Sequence, residues 1–496
     1  MGAFCATWHG MTKDPDLGGN AEVRGLSLGD SPSARRETQE LSRRLSQRHL
    51  SMLAIGGAIG VGLFLGSTVT IRLAGPGVIV SYILGAAITL IVAYSLAEMA
   101  VVHPVAGSFG VYAQTYLSPW AGFAVRATYG LVQIIAIGAE ITAVAIYFAF
   151  WFPSVPQWAW VVCVSVGLVA LNTLQVNRFG EFEYWFALIK VLAIVVFIVV
   201  GLGLILGLGP RPAIGFSNLI SQPGGFLPFG WKGVWLALTL ALTSYMGVEV
   251  IAVTAGEAER PQETIPRAMR TIVVRLTLFY VLAMTVMLAM TPWSRMGAGI
   301  TGSPFVTAFS AVGIPYASSI MNIVVITAAL SSSNTDLYLT TRMLFSLARG
   351  SYAPAWLGHL GKNGVPHCAL AVSTGGMIAA LLLAIFAPSR AFLMLYGVAV
   401  AGMFFVWGII LITHIAFRQA LGPQRVAQLP MRLRLYPYST LLGIAALLGV
   451  TLSTFYVDGL QYTVPAFLPF LLLISFAYWR IRRKGSTVPP AQAQRT

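Results

Sequence analysis

Twelve apolar stretches, each close to twenty residues long, follow one another along this chain. They lie at roughly 50–71, 76–98, 120–150, 157–176, 184–208, 233–255, 271–291, 312–340, 369–387, 392–417, 438–457 and 462–481. About 20 helical residues cross the hydrocarbon core of a bilayer. Lipid offers no partner for free backbone groups, so a spanning segment is a helix or part of a closed barrel. A barrel requires short alternating strands, and these runs are continuous. The reading is an all-α integral membrane protein with twelve transmembrane helices. Composition agrees, with 57% of the residues hydrophobic and 9% charged. A soluble domain carries about 25% charged residues to keep its surface wet.

The distribution of Lys and Arg sets the orientation. Only Arg72, Arg211, Lys232, Arg295 and Arg390 fall in one set of loops, and Arg126 and Lys190 lie within segments. The others, among them Arg43, Arg44, Arg48, Arg267, Arg270, Arg425, Arg432 and Arg434, fall on the opposite side with the tails. Both termini are therefore expected in the cytoplasm of a cell-membrane protein. Residues 1–45, rich in Gly, Ser, Arg and Asp without periodicity, read as a disordered cytoplasmic tail, and 482–496 as a second tail. The first apolar run begins near Leu50, too late for a secretory signal. A net charge of +15 would suggest nucleic acid in a soluble chain, but neither a zinc-finger spacing nor a base-reading basic helix occurs. Cys5, Cys163 and Cys368 are far apart and read as isolated thiols. Trp151, Trp158, Trp231 and Trp293 sit at segment ends, as interfacial anchors do.

Enzyme signatures are missing from the sequence. There is no Walker A run and no His-Glu-x-x-His, and Gly60-x-Gly62 is followed by Leu65 inside an apolar segment. The chain reads as neither an enzyme nor a cofactor protein. Its first segment instead contains Gly56-Gly57-Ala58-Ile59-Gly60-Val61-Gly62. Each glycine costs about 1 kcal/mol relative to Ala in a helix interior. Such a run serves either close helix packing or a helix break whose freed N–H groups seat a carboxylate. The sixth segment tips the balance toward a break. It carries Ser244-Tyr245-Met246-Gly247-Val248-Glu249, again a glycine beside polar groups. Interruptions in the first and sixth segments are the pattern of two five-helix inverted repeats, with the site where the breaks face each other.

These stretches also resemble a known family. Arg48 through Gly66, the block Glu181 to Lys190, the block Gly247 to Glu259, and the run Ala328 to Asn334 with Arg342 to Phe345 are similar to the amino acid permeases of the amino acid–polyamine–organocation superfamily, bacterial amino acid transporter type. The similarity covers about residues 45 to 480. It implies one transporter domain over 46–481. Repeat one is placed at about 46–208, repeat two at about 232–417 and two added helices at about 438–481. It further implies that Gly56 to Gly62 hold the substrate amino and carboxylate groups and that Ser244 to Gly247 complete the pocket, with Tyr245 as a gate. Many members have Ser or Thr where Val61 stands, so here the N–H groups of Gly60 and Gly62 must hold the carboxylate alone.

The ionisable residues within segments are costly and few. Lys190 either snorkels to the interface or loads and releases a proton. Resemblance places it where related carriers hold a sodium ion, with Ser331, Ser332 and Asn334 of the eighth helix as neighbours. Glu140 is either a partner for a cation or a backbone break, or a pocket carboxylate. Glu249 either stabilises the sixth-helix break or sits near the substrate amino group. Glu98 reads as solvated or paired, Arg126 as snorkelling to the cytoplasmic side, and Asp336 as pairing or not with Arg342. His103 and His414 read as ordinary loop or helix-end residues. The expected activity is uptake of a neutral amino acid with a proton. The alternatives are an ion-independent exchanger or facilitator, and a non-transporting receptor.

Overall fold

The computed structural model describes residues 60–105, 108–173, 176–208, 212–249, 262–263, 265–267, 269, 278–296, 303–312, 316–349, 352–361 and 365–483. A wide π-type turn at Gly62–Gly66 leads into α1 (Ser67–Ala74). A 3-10 turn at Gly75–Gly77 separates it from α2 (Val78–Val102). Gly75 takes φ +57°, and a β-carbon there would fall 2.5 Å from Pro228 Cγ, so only glycine fits this corner. A short helix, α3 (Ser108–Tyr116), precedes α4 (Pro119–Phe148). The hydroxyl of Ser118 caps α4 by accepting the Ala121 N–H, with Pro119 at the first helical position.

The chain continues through α5 (Gln157–Asn172), α6 (Val176–Ile205) and α7 (Gly230–Thr243). A second π-type turn, Leu278–Leu282, opens α8 (Ala283–Met290), followed by α9 (Pro304–Val312) and α10 (Ala317–Arg349). The last elements are α11 (His367–Phe386), α12 (Ala391–Ala427), α13 (Tyr438–Ser453) and α14 (Thr463–Arg483). Helices α3 and α9 are not foreseen by the apolar segmentation, because neither is long enough to register as a span.

Among the described residues seven helices are long and apolar enough to cross a membrane. Their outward faces carry Leu192 and Val199 on α6, Leu442 on α13 and Leu472 on α14, each at least 60% exposed, and the shorter apolar helix α5 likewise exposes Val166. The interior holds polar groups instead, among them Glu98, Lys190, Ser331, Ser332 and Ser333. An apolar exterior around a polar interior is stable only when the surrounding solvent is lipid. The protein is a multi-pass membrane protein.

Helix α10 explains why hydropathy alone misjudges this fold. It is 33 residues long but too polar to count among the seven apolar spans. Its polar stretch is buried against α4, its principal neighbour. Several of its hydroxyls bond within the helix, as Ser333 does to the Ala329 carbonyl at 2.9 Å and Thr341 to the Leu337 carbonyl at 2.6 Å.

Three expectations about charged residues resolve here. Glu98 is paired: it accepts from Arg418 at 2.9 and 2.5 Å, from His414 Nε2 at 3.0 Å and from the Leu433 N–H. His414 is thus part of a buried cluster in mid-helix rather than an ordinary helix-end residue. Arg126 does not snorkel. It is 3% exposed, donates to Gln114 Oε1 at 3.0 Å, and lies against Gly110, where a β-carbon would collide with its Cγ at 2.4 Å.

Candidate functional site

Helix α7 stops at Thr243, and residues 244–249 run as turns. Gly247 takes φ +103°, a region that L side chains rarely enter. The break frees backbone groups that a continuing helix would have used. Two side chains take them up. The carboxylate of Glu249 accepts the Gly247 N–H with both oxygens, at 3.2 and 3.1 Å. The Tyr280 hydroxyl donates to the Ser244 carbonyl at 2.6 Å. Tyr129 and Trp407 stand near Glu249, but their polar atoms lie outside hydrogen-bond geometry.

On the other side the chain enters at Gly60, whose carbonyl accepts from Leu63 N at 3.2 Å and Phe64 N at 3.4 Å. Gly56, Gly57, Ala58 and Ile59 lie outside the described residues. The two glycines that follow make close approaches. A β-carbon on Gly60 would fall 2.6 Å from Ser332 Oγ and 3.2 Å from Glu140 Oε1. One on Gly62 would fall 3.0 Å from Ser244 Cα and 2.8 Å from the Tyr396 hydroxyl. The glycine segment and the α7 break are therefore in direct backbone apposition.

Between them is a cavity of about 70 Å³. Its lining includes Gly60, Val61, Gly62, Glu140, Ser244, Met246 and Gly247, all singled out in the sequence. Glu140 enters from α4, and its Oε2 has no hydrogen-bond partner among the described residues. Lys190 and Asp336 carry the charges it feels, and Ser332 and Ser333 are its hydroxyl neighbours. Lys190 is fully buried on α6, so its ammonium does not reach an interface. Ser331 and Ser332 are buried on α10, with Ser332 behind Gly60.

Tyr245 does not line the cavity. Its ring lies among Tyr82 and Tyr280, with centroids 6.2 and 4.8 Å away, and its hydroxyl donates to the Tyr82 carbonyl at 2.9 Å. Tyr396, from α12, takes a place in the wall that sequence reasoning did not assign, hydrogen-bonded to Thr243 Oγ1. Gln133 and Asp336 also line the cavity, joined by a bond of 2.8 Å. A lone Tyr in an apolar run carries no sequence signal of a pocket.

The arrangement offers the backbone of the α7 break facing Gly60 and Gly62, a carboxylate oxygen of Glu140 with no hydrogen-bond partner among the described residues, and a buried lysine nearby. Such a site suits a small zwitterion. Comparison with known proteins agrees with the geometry. A family model described as amino acid permease matches residues 49–486. The chain is 42% identical over 448 residues to the uncharacterized amino acid permease YtnA of Bacillus subtilis (strain 168), covering 89% of this chain and 96% of that protein. It is 36% identical over 460 residues to the gamma-aminobutyric acid permease of the same organism, covering 92% and 97%. It is 36% identical over 451 residues to the aromatic amino acid transport protein AroP of Salmonella typhimurium (strain SL1344), covering 91% and 98%.

Proposed function

Because the chain belongs to the amino acid permease family, we propose that it carries a neutral amino acid into the cell together with a proton. The observation that carries this reading is the apposition of Gly62 and Ser244 around a cavity that Glu140 also lines. The substrate carboxylate meets the N–H groups of Gly60 to Gly62, where the helix dipole favours an anion. The substrate ammonium meets the open oxygen of Glu140. Glu249 is occupied by Gly247 and Asp336 by Gln133, so neither is offered to a cationic side chain. That distribution favours a neutral side chain, and a cavity of about 70 Å³ favours a small one.

Lys190 is the proton carrier in this scheme. A fully buried ammonium costs free energy unless a partner compensates it. Substrate arrival changes the charge around Glu140, and Glu140 is within electrostatic reach of Lys190. Protonation of Lys190 is thereby linked to occupancy of the cavity, with Ser331 and Ser332 of α10 as polar neighbours. A proton moving down the membrane potential supplies about 2.3 kcal/mol per 100 mV.

The architecture we assign to this function has twelve spans: a repeat at about 46–208, a second at about 232–417, and two added helices at about 438–481. The tails, 1–45 and 482–496, are placed in the cytoplasm by the Lys and Arg asymmetry.

Purified protein in liposomes with an imposed pH gradient tests the reading. Accumulation of a labelled neutral amino acid above its outside concentration, abolished by a protonophore, is the expected result. Counterflow without accumulation would replace symport with exchange. Binding without flux would make the protein a receptor.

A further inference from the structure

A second, larger hollow of about 1230 Å³ lies away from the cavity between Gly62 and Ser244. The part of α12 before Gly422 already runs about 45 Å at 1.5 Å per residue, against about 30 Å of hydrocarbon. Its last turns must therefore leave the bilayer. They kink at Gly422, where φ is +77° and ψ 159°, just before Pro423. The chain then loops through residues 428–437 and re-enters as α13 at Tyr438. The hollow is the groove between this loop, the end of α12 and Leu90 to Tyr94 of α2.

The groove wall contains Arg418, Arg432 and Arg434 and no Asp or Glu. Arg418 is already committed, to Glu98 and to the Leu433 carbonyl at 3.0 Å, and it holds the loop in place. Arg432 and Arg434 are exposed, and neither side chain has an ion pair or hydrogen bond among the described residues. Beside them, Leu435, Leu441 and Leu442 are 80%, 51% and 65% exposed. Two uncommitted guanidinium groups thus sit at the depth where a helix meets the membrane surface, next to an apolar strip that runs inward along α13.

We propose that this groove binds the phosphate of an anionic phospholipid, with Arg432 and Arg434 on the headgroup and an acyl chain along Leu441 and Leu442. Guanidinium groups match phosphate oxygens in geometry as well as charge. Basic pockets between helices at a membrane surface have this use. The proposal goes beyond the transport reading and does not depend on it.

Native mass spectrometry of the full chain, titrated separately with phosphatidylglycerol, phosphatidylcholine and glycerol 3-phosphate, tests it. Phosphatidylglycerol should bind in preference to phosphatidylcholine, and R432Q/R434Q should weaken it on the order of thirtyfold, taking the effect expected of two basic contacts at an anionic surface. The single variants should each lose about fivefold, which keeps the test usable if the double variant folds poorly. R425Q, an exposed arginine outside the groove wall, should change nothing. Equal binding of both lipids, or unchanged affinity in both single variants, would overturn the proposal. Glycerol 3-phosphate binding as tightly as the lipid would also overturn it, making the groove a site for a soluble phosphate.

Discussion

Glu249 turns its carboxylate back onto the N–H of Gly247, two residues earlier, and both oxygens lie within 3.2 Å of that nitrogen. This contact satisfies a backbone donor that the end of α7 sets free in a buried place. An unsatisfied buried donor costs about 1–3 kcal/mol. Glu249→Ala should therefore lower unfolding stability by about 2 kcal/mol and reduce uptake at least tenfold. Glu249→Gln keeps an acceptor and should fall between that variant and the wild type. Thermal denaturation in detergent checks this, and identical curves for all three proteins would remove the capping role.

Gly60 is the tightest point between the glycine segment and α10. Gly60→Ala places a methyl group 2.6 Å from Ser332 Oγ. Uptake should be lost while the protein still reaches the membrane. Combining it with Ser332→Ala removes the closest atom and leaves Glu140 Oε1 at 3.2 Å and Ser332 Cβ at 3.4 Å, so activity should partly return. Uptake assays on the two variants decide the matter. A fully active Gly60→Ala would mean that the site tolerates filling.

Lys190 is fully buried. Lys190→Ala should end accumulation driven by a pH gradient and leave counterflow of labelled for unlabelled substrate. The measurement uses the same liposomes under two loading conditions. Undiminished accumulation would require another proton carrier.

Glu98 ties α2 to α12 and to the loop at Leu433. Its side chain is fully buried, and that of Arg418 is 9% exposed. Removing one partner strands the other charge, at about 3–5 kcal/mol. Glu98→Ala should lower stability by that amount, far more than removing an exposed ion pair such as Arg267 with Glu263, which is worth about 0–1 kcal/mol. Comparison of the two alanine variants by denaturation is direct.

His103 follows the end of α2 and bonds the Tyr116 hydroxyl at 2.5 Å. Burial lowers its pKa from 6.5 to about 4. The unfolded chain therefore takes up a proton at this residue before the folded one does. Its contribution to stability is complete above pH 6.5 and is lost as pH falls toward about 4. His103→Gln should flatten the stability profile within that window. An unchanged slope would assign the acid sensitivity elsewhere.

The interruption at Ser244 to Glu249 was legible in the sequence because it places a glycine and polar residues where the bilayer otherwise demands an unbroken helix. The apolar segments were legible for the same reason, since lipid contact demands long uninterrupted runs. Neither periodicity nor composition could show that Tyr396 reaches Gly62, because the two are brought together from distant segments. The same holds for Arg126, which finds its place only once Gly110 leaves room for it.

The sequence by itself determined that the chain lives in lipid and where its helices are weakest, because hydrophobic length and glycine content are local properties. Only the tertiary structure decided which backbone groups meet, which charges are paired and which side chains line the cavity. Those outcomes depend on packing between elements far apart in the chain. Tyr245 turns away toward Tyr82 while Tyr396 takes a place in the wall, a choice fixed by helix placement and by no feature of either residue alone.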